Sequence, residues 1–176
     1  KKENLFIVEG EKDVLEVLRS DYEIYTLCYT EKFEYHLESF SAIDASVLDK
    51  VSAKELGRVS CFISNDVVLA VVKNKAEKEI PDPAGFTLVL DDVRDPGNLG
   101  TIIRVADWFG VKNIICSSKT AEWQNPKVIS ASKGSFVRVN LFYIDIVTYL
   151  LGVPRDMMIA GTFMYGKNIH ETSFQE

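Results

Sequence analysis

The chain has 176 residues, of which 47% are hydrophobic and 26% are charged, and its formal net charge is −6. This composition is typical of a folded globular protein and excludes disordered and collagen-like chains. The length allows one large domain or two small ones, each able to bury a core. No apolar run approaches the roughly 20 residues of a membrane-spanning helix, and no secretion signal opens the chain, so we expect no membrane association.

The three cysteines lie far apart in the sequence, at Cys28, Cys61 and Cys116, and none belongs to a Cys-x-x-Cys pair. An odd and dispersed set argues against a disulfide framework and against a structural zinc site. We therefore expect a cytoplasmic protein with reduced thiols and no metal.

The first part of the chain alternates between short apolar runs and amphipathic segments, which predicts a small α/β module. The predicted strands are 5–8, 24–29 and 67–72, and the predicted helices are 11–20 and 46–56. Residues 31–40 fit either a helix or an irregular acidic stretch.

A charged segment with two prolines, Pro81 and Pro83, follows this module and predicts a stiff linker. The predicted organisation is an N-terminal domain over residues 1–76, a linker over 77–84 and a C-terminal domain over 85–176.

The second part of the chain predicts a β-α-β arrangement, in which parallel strands form a sheet covered by helices. The predicted strands are 86–90, 112–117, 136–139 and 157–160, and the predicted helices are 98–109, 126–133 and 144–151.

The negative charge is unevenly distributed along the chain. Residues 1–80 carry 11 basic and 16 acidic side chains, whereas residues 81–176 carry 9 and 10. Between residues 112 and 138 the only acidic residue is Glu122, and the basic residues are Lys112, Lys119, Lys127, Lys133 and Arg138. This stretch is either a patch that faces nucleic acid or an ordinary solvated surface.

The most informative segment is 95–106, Asp-Pro-Gly-Asn-Leu-Gly-Thr-Ile-Ile-Arg-Val-Ala, where a predicted strand gives way to a helix. Open α/β sheets bind ligands at this end of their strands. Asn98 is the predicted N-cap. The apolar face of the predicted helix is formed by Leu99, Ile102, Ile103, Ala106 and Phe109.

Arg104 projects from the side of this helix opposite the apolar face. Its guanidinium either binds a phosphate or a developing oxyanion, or it faces solvent and pairs with Asp107 or Asp95. The segment has neither the glycine spacing of a dinucleotide-binding loop nor that of a P-loop.

The pattern Asp-Pro-Gly-Asn-x-Gly-x-x-x-Arg-x-Ala resembles the first signature of the SpoU/TrmH RNA 2′-O-ribose methyltransferases of the SPOUT class. Residues 125–139 are similar to the family's next block, in which Ala-Ser-x-Gly precedes an aromatic-rich strand, although Asn140 stands where proline is common. The opening run Phe6-Ile7-Val8-Glu9-Gly10 is similar to the start of an RNA-binding domain that many members carry in front.

The resemblance implies a mixed α/β protein in which a small α/β RNA-binding domain precedes a Rossmann-like, parallel-sheet SPOUT domain, knotted as a trefoil when complete. It implies that a homodimer transfers a methyl group from S-adenosylmethionine to a ribose 2′-hydroxyl in ribosomal or transfer RNA. Arg104 and Asn98 match the family's functional residues, and Gly161 and Thr162 match the strand end that borders the cofactor. The expected RNA contacts are Lys127, Lys133 and Arg138.

The family's later Gly-x-Glu-Gly and Ser-Leu-Asn segments are absent from the sequence. We therefore expect a SPOUT domain that is truncated before its knot motifs. If these residues were the whole polypeptide, we would expect it to bind the cofactor weakly. Two alternatives remain open. The first is a non-enzymatic RNA-binding protein that retains the fold, and the second is a small-molecule α/β enzyme that uses the same cleft at the sheet edge.

Overall fold

The computed structural model describes residues 4–40, 43–76, 79–81, 86–162 and 164–171. The strands are β1 Leu5–Glu9, β2 Ile24–Tyr29, β3 Leu48–Lys50, β4 Val68–Lys73, β5 Leu88–Leu90, β6 Asn113–Cys116 and β7 Asn140–Tyr143. The helices are α1 Glu11–Leu18, α2 Glu31–Leu37, α3 Ala53–Val59, α4 Pro96–Trp108, α5 Pro126–Ser132 and α6 Ile146–Leu151. Short 3₁₀ turns lie at Ala45–Val47, Ser135–Val137 and Ile169–Glu171.

The N-terminal sheet has the strand order β1-β4-β2-β3. Its central strand β4 is antiparallel to both neighbours, and the edge strand β3 runs parallel to β2. β4 is a β-branched run, which suits a strand covered by other elements, and Val68, Ala70 and Val72 are fully buried. Helix α1 follows β1 and places Val14 and Val17 in the same core.

The C-terminal sheet has the order β5-β6-β7 and is parallel throughout, as predicted. Its central strand is covered on both faces, so Ile114, Ile115 and Cys116 are all buried. Burial raises the pKa of the Cys116 thiol to about 12.

None of the helices in the described segments is both long enough and apolar enough to cross a membrane.

A continuous apolar core joins the two sheets. Phe6 of β1 packs edge-on against Trp123, with ring centroids 5.1 Å apart, and against Phe136 at 6.3 Å. The N-terminal sheet therefore lies directly on the segment that contains α5. Within the predicted linker 77–84, residues 77, 78 and 82–84 lie outside the described part of the chain, so the linker and the domain boundaries stay predictions.

Three predicted elements are wrong. The helix expected at 46–56 is instead a 3₁₀ turn, the strand β3 and then α3, because Ser52 and Glu55 form a capping box that starts a helix at Ala53. The strand expected at 136–139 is a 3₁₀ turn, and β7 begins only at Asn140. Residues 157–160 form no strand, since none of the described residues pairs with them.

Helices α4 and α5 approach each other closely at Gly100. A Cβ atom on Gly100 would lie 2.5 Å from both the Ala131 Cβ and the Val128 carbonyl oxygen. Both atoms belong to α5, and one of them is backbone, so they cannot move aside without shifting the helix. The absence of a side chain at Gly100 therefore sets the distance between the two helices.

We predict that Gly100→Ala destabilises the protein by about 1–3 kcal/mol, because overpacking outweighs the helix propensity of alanine. Gly57→Ala in α3 is the matched control: its Cβ would meet no atom within 4 Å, so we expect a gain of about 0.5–1 kcal/mol. The measurement is the free energy of unfolding in urea. Equal effects of the two substitutions would contradict the close helix contact.

Candidate active site

The carboxyl ends of the three parallel strands are tied together by backbone hydrogen bonds. The Ser117 amide donates to the Leu90 carbonyl at 3.0 Å, and the Ile144 amide donates to the Cys116 carbonyl at 3.0 Å. The segments that lead into α4, α5 and α6 therefore begin at one edge of the sheet. This edge is where ligands bind in folds of this class.

The acidic loop after β5 is held by its own neighbours. The Asp92 amide donates to Ser117 Oγ at 2.8 Å, and the Asp92 carboxylate accepts from Arg94 at 2.7 Å and lies 3.9 Å from Lys119 Nζ. The hydrogen bond from Arg94 lowers the pKa of Asp92. Among the described residues, no three potential metal-ligating side chains lie together.

Helix α4 begins with a different cap from the one predicted. Asp95 is the N-cap, and its Oδ1 accepts from the Asn98 amide at 2.8 Å, so the prediction that Asn98 caps the helix is wrong. The reason is Pro96: proline is preferred at the first helical position, which makes the preceding residue the cap. Asp-Pro was the sequence signal that reveals this cap. Asn98 is left exposed in the first turn of α4.

Arg104 is exposed, and none of the described carboxylates pairs with it. The two partners considered from the sequence are both engaged elsewhere. Asp107 accepts from Arg138 Nε at 3.0 Å and from Arg138 Nη2 at 2.8 Å, and Asp95 caps the helix. The guanidinium of Arg104 is therefore available to bind an anionic group of a ligand.

The carboxyl group of Asp107 stays ionised beside α4. Partial burial raises the pKa of Asp107, but hydrogen bonds from Arg138 and Ser135 outweigh it, and the pKa lies below its ordinary value. The charged Asp107 keeps its hydrogen bonds from Arg138 and therefore does not pair with Arg104.

The exposed face of α4 is partly apolar around Arg104. Trp108 is 84% exposed, Phe109 is 76% exposed and Val105 is half exposed. The prediction that Phe109 belongs to the core face is wrong, because α4 ends at Trp108 and the helical projection does not extend to Phe109. Arg104 thus lies next to an uncovered apolar surface.

The three predicted RNA-contacting residues have different surroundings. Lys127 and Lys133 are both exposed, and they lie at opposite ends of α5, about 9 Å apart along the helix axis. Lys133 is close to Asp13 of α1. The hydrogen bond with Asp107 raises the pKa of Arg138, whose guanidinium also pairs with Glu16. RNA binding by these three residues stays a prediction.

Gly161 and Thr162 lie in an irregular segment after α6, and both are exposed. The described contacts bring neither of them to α4. Their role in cofactor binding therefore stays a prediction.

Comparison with known proteins places these features in a family. Residues 85–176 match the SpoU rRNA Methylase family. The chain is 25% identical over 165 residues to the 23S rRNA (guanosine(2553)-2′-O)-methyltransferase RlmP of Bacillus subtilis (strain 168). The matched residues make up 94% of this chain and 63% of that protein.

Two solved structures are similar over more than four fifths of the chain. A TrmH-family protein from Porphyromonas gingivalis has a TM-score of 0.69 and 34% identity, covering 81% of this chain and 55% of its own. An AdoMet-bound rRNA methyltransferase from Sinorhizobium meliloti has a TM-score of 0.71 and 26% identity, covering 86% and 58%. The chain thus spans less than two thirds of each of these relatives.

The similarity confirms the predicted mixed α/β fold of the SPOUT class and the resemblance read from the motif at 95–106. The family match covers more than half of the chain. The chain belongs to the SpoU rRNA methylase family.

Proposed function

We propose that the protein transfers a methyl group from S-adenosylmethionine to a ribose 2′-hydroxyl of ribosomal or transfer RNA. The observation that carries this proposal is Arg104, an exposed guanidinium with no carboxylate partner among the described residues, on the helix that follows the first parallel strand. The similarity of the chain to a 23S rRNA 2′-O-methyltransferase of Bacillus subtilis supports it.

The chemistry of arginine limits what Arg104 does in this reaction. A guanidinium stays protonated in proteins, so it is a poor general base. Its donors suit an oxygen on which negative charge develops, or the phosphate beside it. Arg104 would therefore stabilise the 2′-oxygen as its proton leaves and hold the nucleotide in place. Asn98, exposed in the first turn of α4, would position the ribose.

Gly161 and Thr162 are the candidate residues for the cofactor. Both are exposed, and none of the described residues hydrogen-bonds to them, so their backbone groups and the Thr162 hydroxyl are open to a ligand. Hydrogen-bonding groups of this kind fit the adenosyl part of S-adenosylmethionine. When bound, this cofactor supplies an electrophilic methyl group on a positively charged sulfur.

A homodimer is part of the proposal. The exposed apolar side chains of Val105, Trp108 and Phe109 follow Arg104 within five residues, and a second copy of this chain would cover them. Such an interface would bring Arg104 to a site formed with the partner copy. The trefoil knot and a location in the cytoplasm belong to the same proposal, the latter supported by free thiols at Cys28, Cys61 and Cys116.

We expect Arg104→Ala to lower RNA methylation by ~10²–10³-fold, the usual effect of losing one donor to a developing oxyanion. The assay measures transfer of a labelled methyl group from S-adenosylmethionine to RNA by the native protein and by each variant. RNA affinity, measured in parallel, separates lost chemistry from lost binding.

Arg58→Ala on α3 is the charge-matched control and should leave methylation unchanged. Arg104→Lys keeps the charge but loses the planar fork of donors, so it should fall between the wild type and the alanine variant. Near-normal turnover by Arg104→Ala would remove this residue from the mechanism. If the wild type binds RNA but transfers no methyl group to it, the result would favour the non-enzymatic alternative.

For the dimer, we predict that Trp108→Ala weakens self-association at least ~10-fold, because large aromatic side chains dominate interface energetics. Tyr35→Ala, which removes an aromatic ring 60% exposed on α2, should leave association unchanged. Sedimentation equilibrium measures the dissociation constant of each variant. A wild type that stays monomeric at high concentration would refute the dimer.

A further inference from the structure

A cleft separates the start of α1 from the end of α5. It has a volume of about 330 Å³. Its walls come from both halves of the chain: Lys12 and Asp13 from α1, Phe62 from the loop before β4, and Ser130 and Lys133 from α5. The size is at the lower end of the range for small-ligand sites.

Asp13 is the unusual group in this cleft. It is only 5% exposed, and its Oδ1 is buried without a hydrogen-bond partner among the described residues. A buried polar atom without a partner is destabilising, and native proteins seldom keep one. Burial raises the pKa of Asp13 to about 6, even though Lys133 and Lys12 act to lower it and Glu16 adds to the rise. At neutral pH this carboxylate is still largely ionised and can accept hydrogen bonds.

The second buried carboxylate, Glu9, shows what a structural role looks like in this part of the fold. Glu9 is equally buried, and it accepts from Ser60 Oγ, from the Cys61 amide at 2.7 Å and from Asn65 Nδ2 at 3.0 Å. These bonds hold the loop that carries Phe62. Glu9 is therefore satisfied by the protein itself, whereas Asp13 is not.

The cleft combines three chemical groups that together suit one kind of ligand. Phe62 offers an aromatic ring on which a base can stack. Asp13 offers an acceptor for an exocyclic amino group, the pairing by which carboxylates recognise cytosine. Lys12 and Lys133 offer positive charge for a phosphate, and neither forms an ion pair with any described residue. The same two lysines disfavour a metal ion.

We propose that this cleft binds an unpaired RNA nucleotide whose base carries an exocyclic amino group, with Asp13 accepting from the amino group and Lys133 contacting the phosphate. The proposal rests on the proposed function, because it assumes an RNA substrate. It adds a second contact with the RNA, made by residues other than Arg104.

The test measures binding of single-stranded RNA of about eight nucleotides to the protein by fluorescence anisotropy. Oligocytidine and oligoadenosine carry amino groups, whereas oligouridine does not. We expect the wild type to bind the first two at least ~10-fold more tightly than oligouridine. Asp13→Leu should abolish most of this preference, because leucine has a similar shape but carries no hydrogen-bond acceptor for the amino group.

Asp49→Leu is the matched control, since Asp49 is exposed on β3 at the opposite edge of the N-terminal sheet. Asp13→Leu should fold, because it removes a buried charge that lacks a hydrogen-bond partner, and its unfolding midpoint at pH 7 should be no lower than that of the wild type. Lys133→Gln should weaken binding of all three oligonucleotides and reduce by about one the slope of log affinity against log salt.

An Asp13→Leu variant that keeps the wild-type preference would overturn the proposal while leaving the proposed function intact. Equal binding of oligouridine and oligocytidine by the wild type would do the same. Loss of methylation in Arg104→Ala with an unchanged base preference would separate the two sites. Failure of the wild type to bind any RNA would overturn both.

Discussion

The ion pairs of Arg138 determine which charged groups of this chain are available to a ligand. One guanidinium binds Asp107 of α4 through two nitrogens and Glu16 of α1 through a third. A single exposed pair contributes little to stability, but a bidentate pair within a network has defined geometry. Because Asp107 accepts hydrogen bonds from Arg138, it does not pair with Arg104 three residues before it on α4. By reaching Glu16, it also ties the N-terminal sheet to α4.

Local patterns predicted most of the fold because the elements in question are strongly periodic. The run Ile114–Cys116 indicated a strand buried on both faces, and the parallel sheet followed from the alternation of strands and helices. The prediction at 46–56 was wrong where local propensity competed with tertiary pairing. Leu48–Lys50 pairs with β2 in parallel, a contact between segments about 20 residues apart that no local pattern reveals.

The candidate site was predictable only to the extent that it is local. A helical projection placed Arg104 away from the core, and the structure leaves it exposed. That Asp107 is already engaged depends on Arg138, which lies 31 residues further along the chain. The burial of Asp13 depends even more clearly on tertiary structure. An acid in the first turn of a helix is ordinarily explained by the helix dipole, and no local pattern reveals that Asp13 is buried beside a cleft lined by residues from both halves of the chain.

An acidic protein that binds RNA must use a few well-placed groups, since its overall charge repels phosphate. Four lysines of the N-terminal module, Lys32, Lys50, Lys73 and Lys75, are each paired with a carboxylate of the same module. Their charge is therefore already neutralised. Lys133 at the cleft and Lys127 at the sheet edge have no such partner among the described residues. Recognition would then depend on the geometry of two separated contacts on one RNA strand, and specificity would follow from their spacing along α5 rather than from attraction to the protein as a whole.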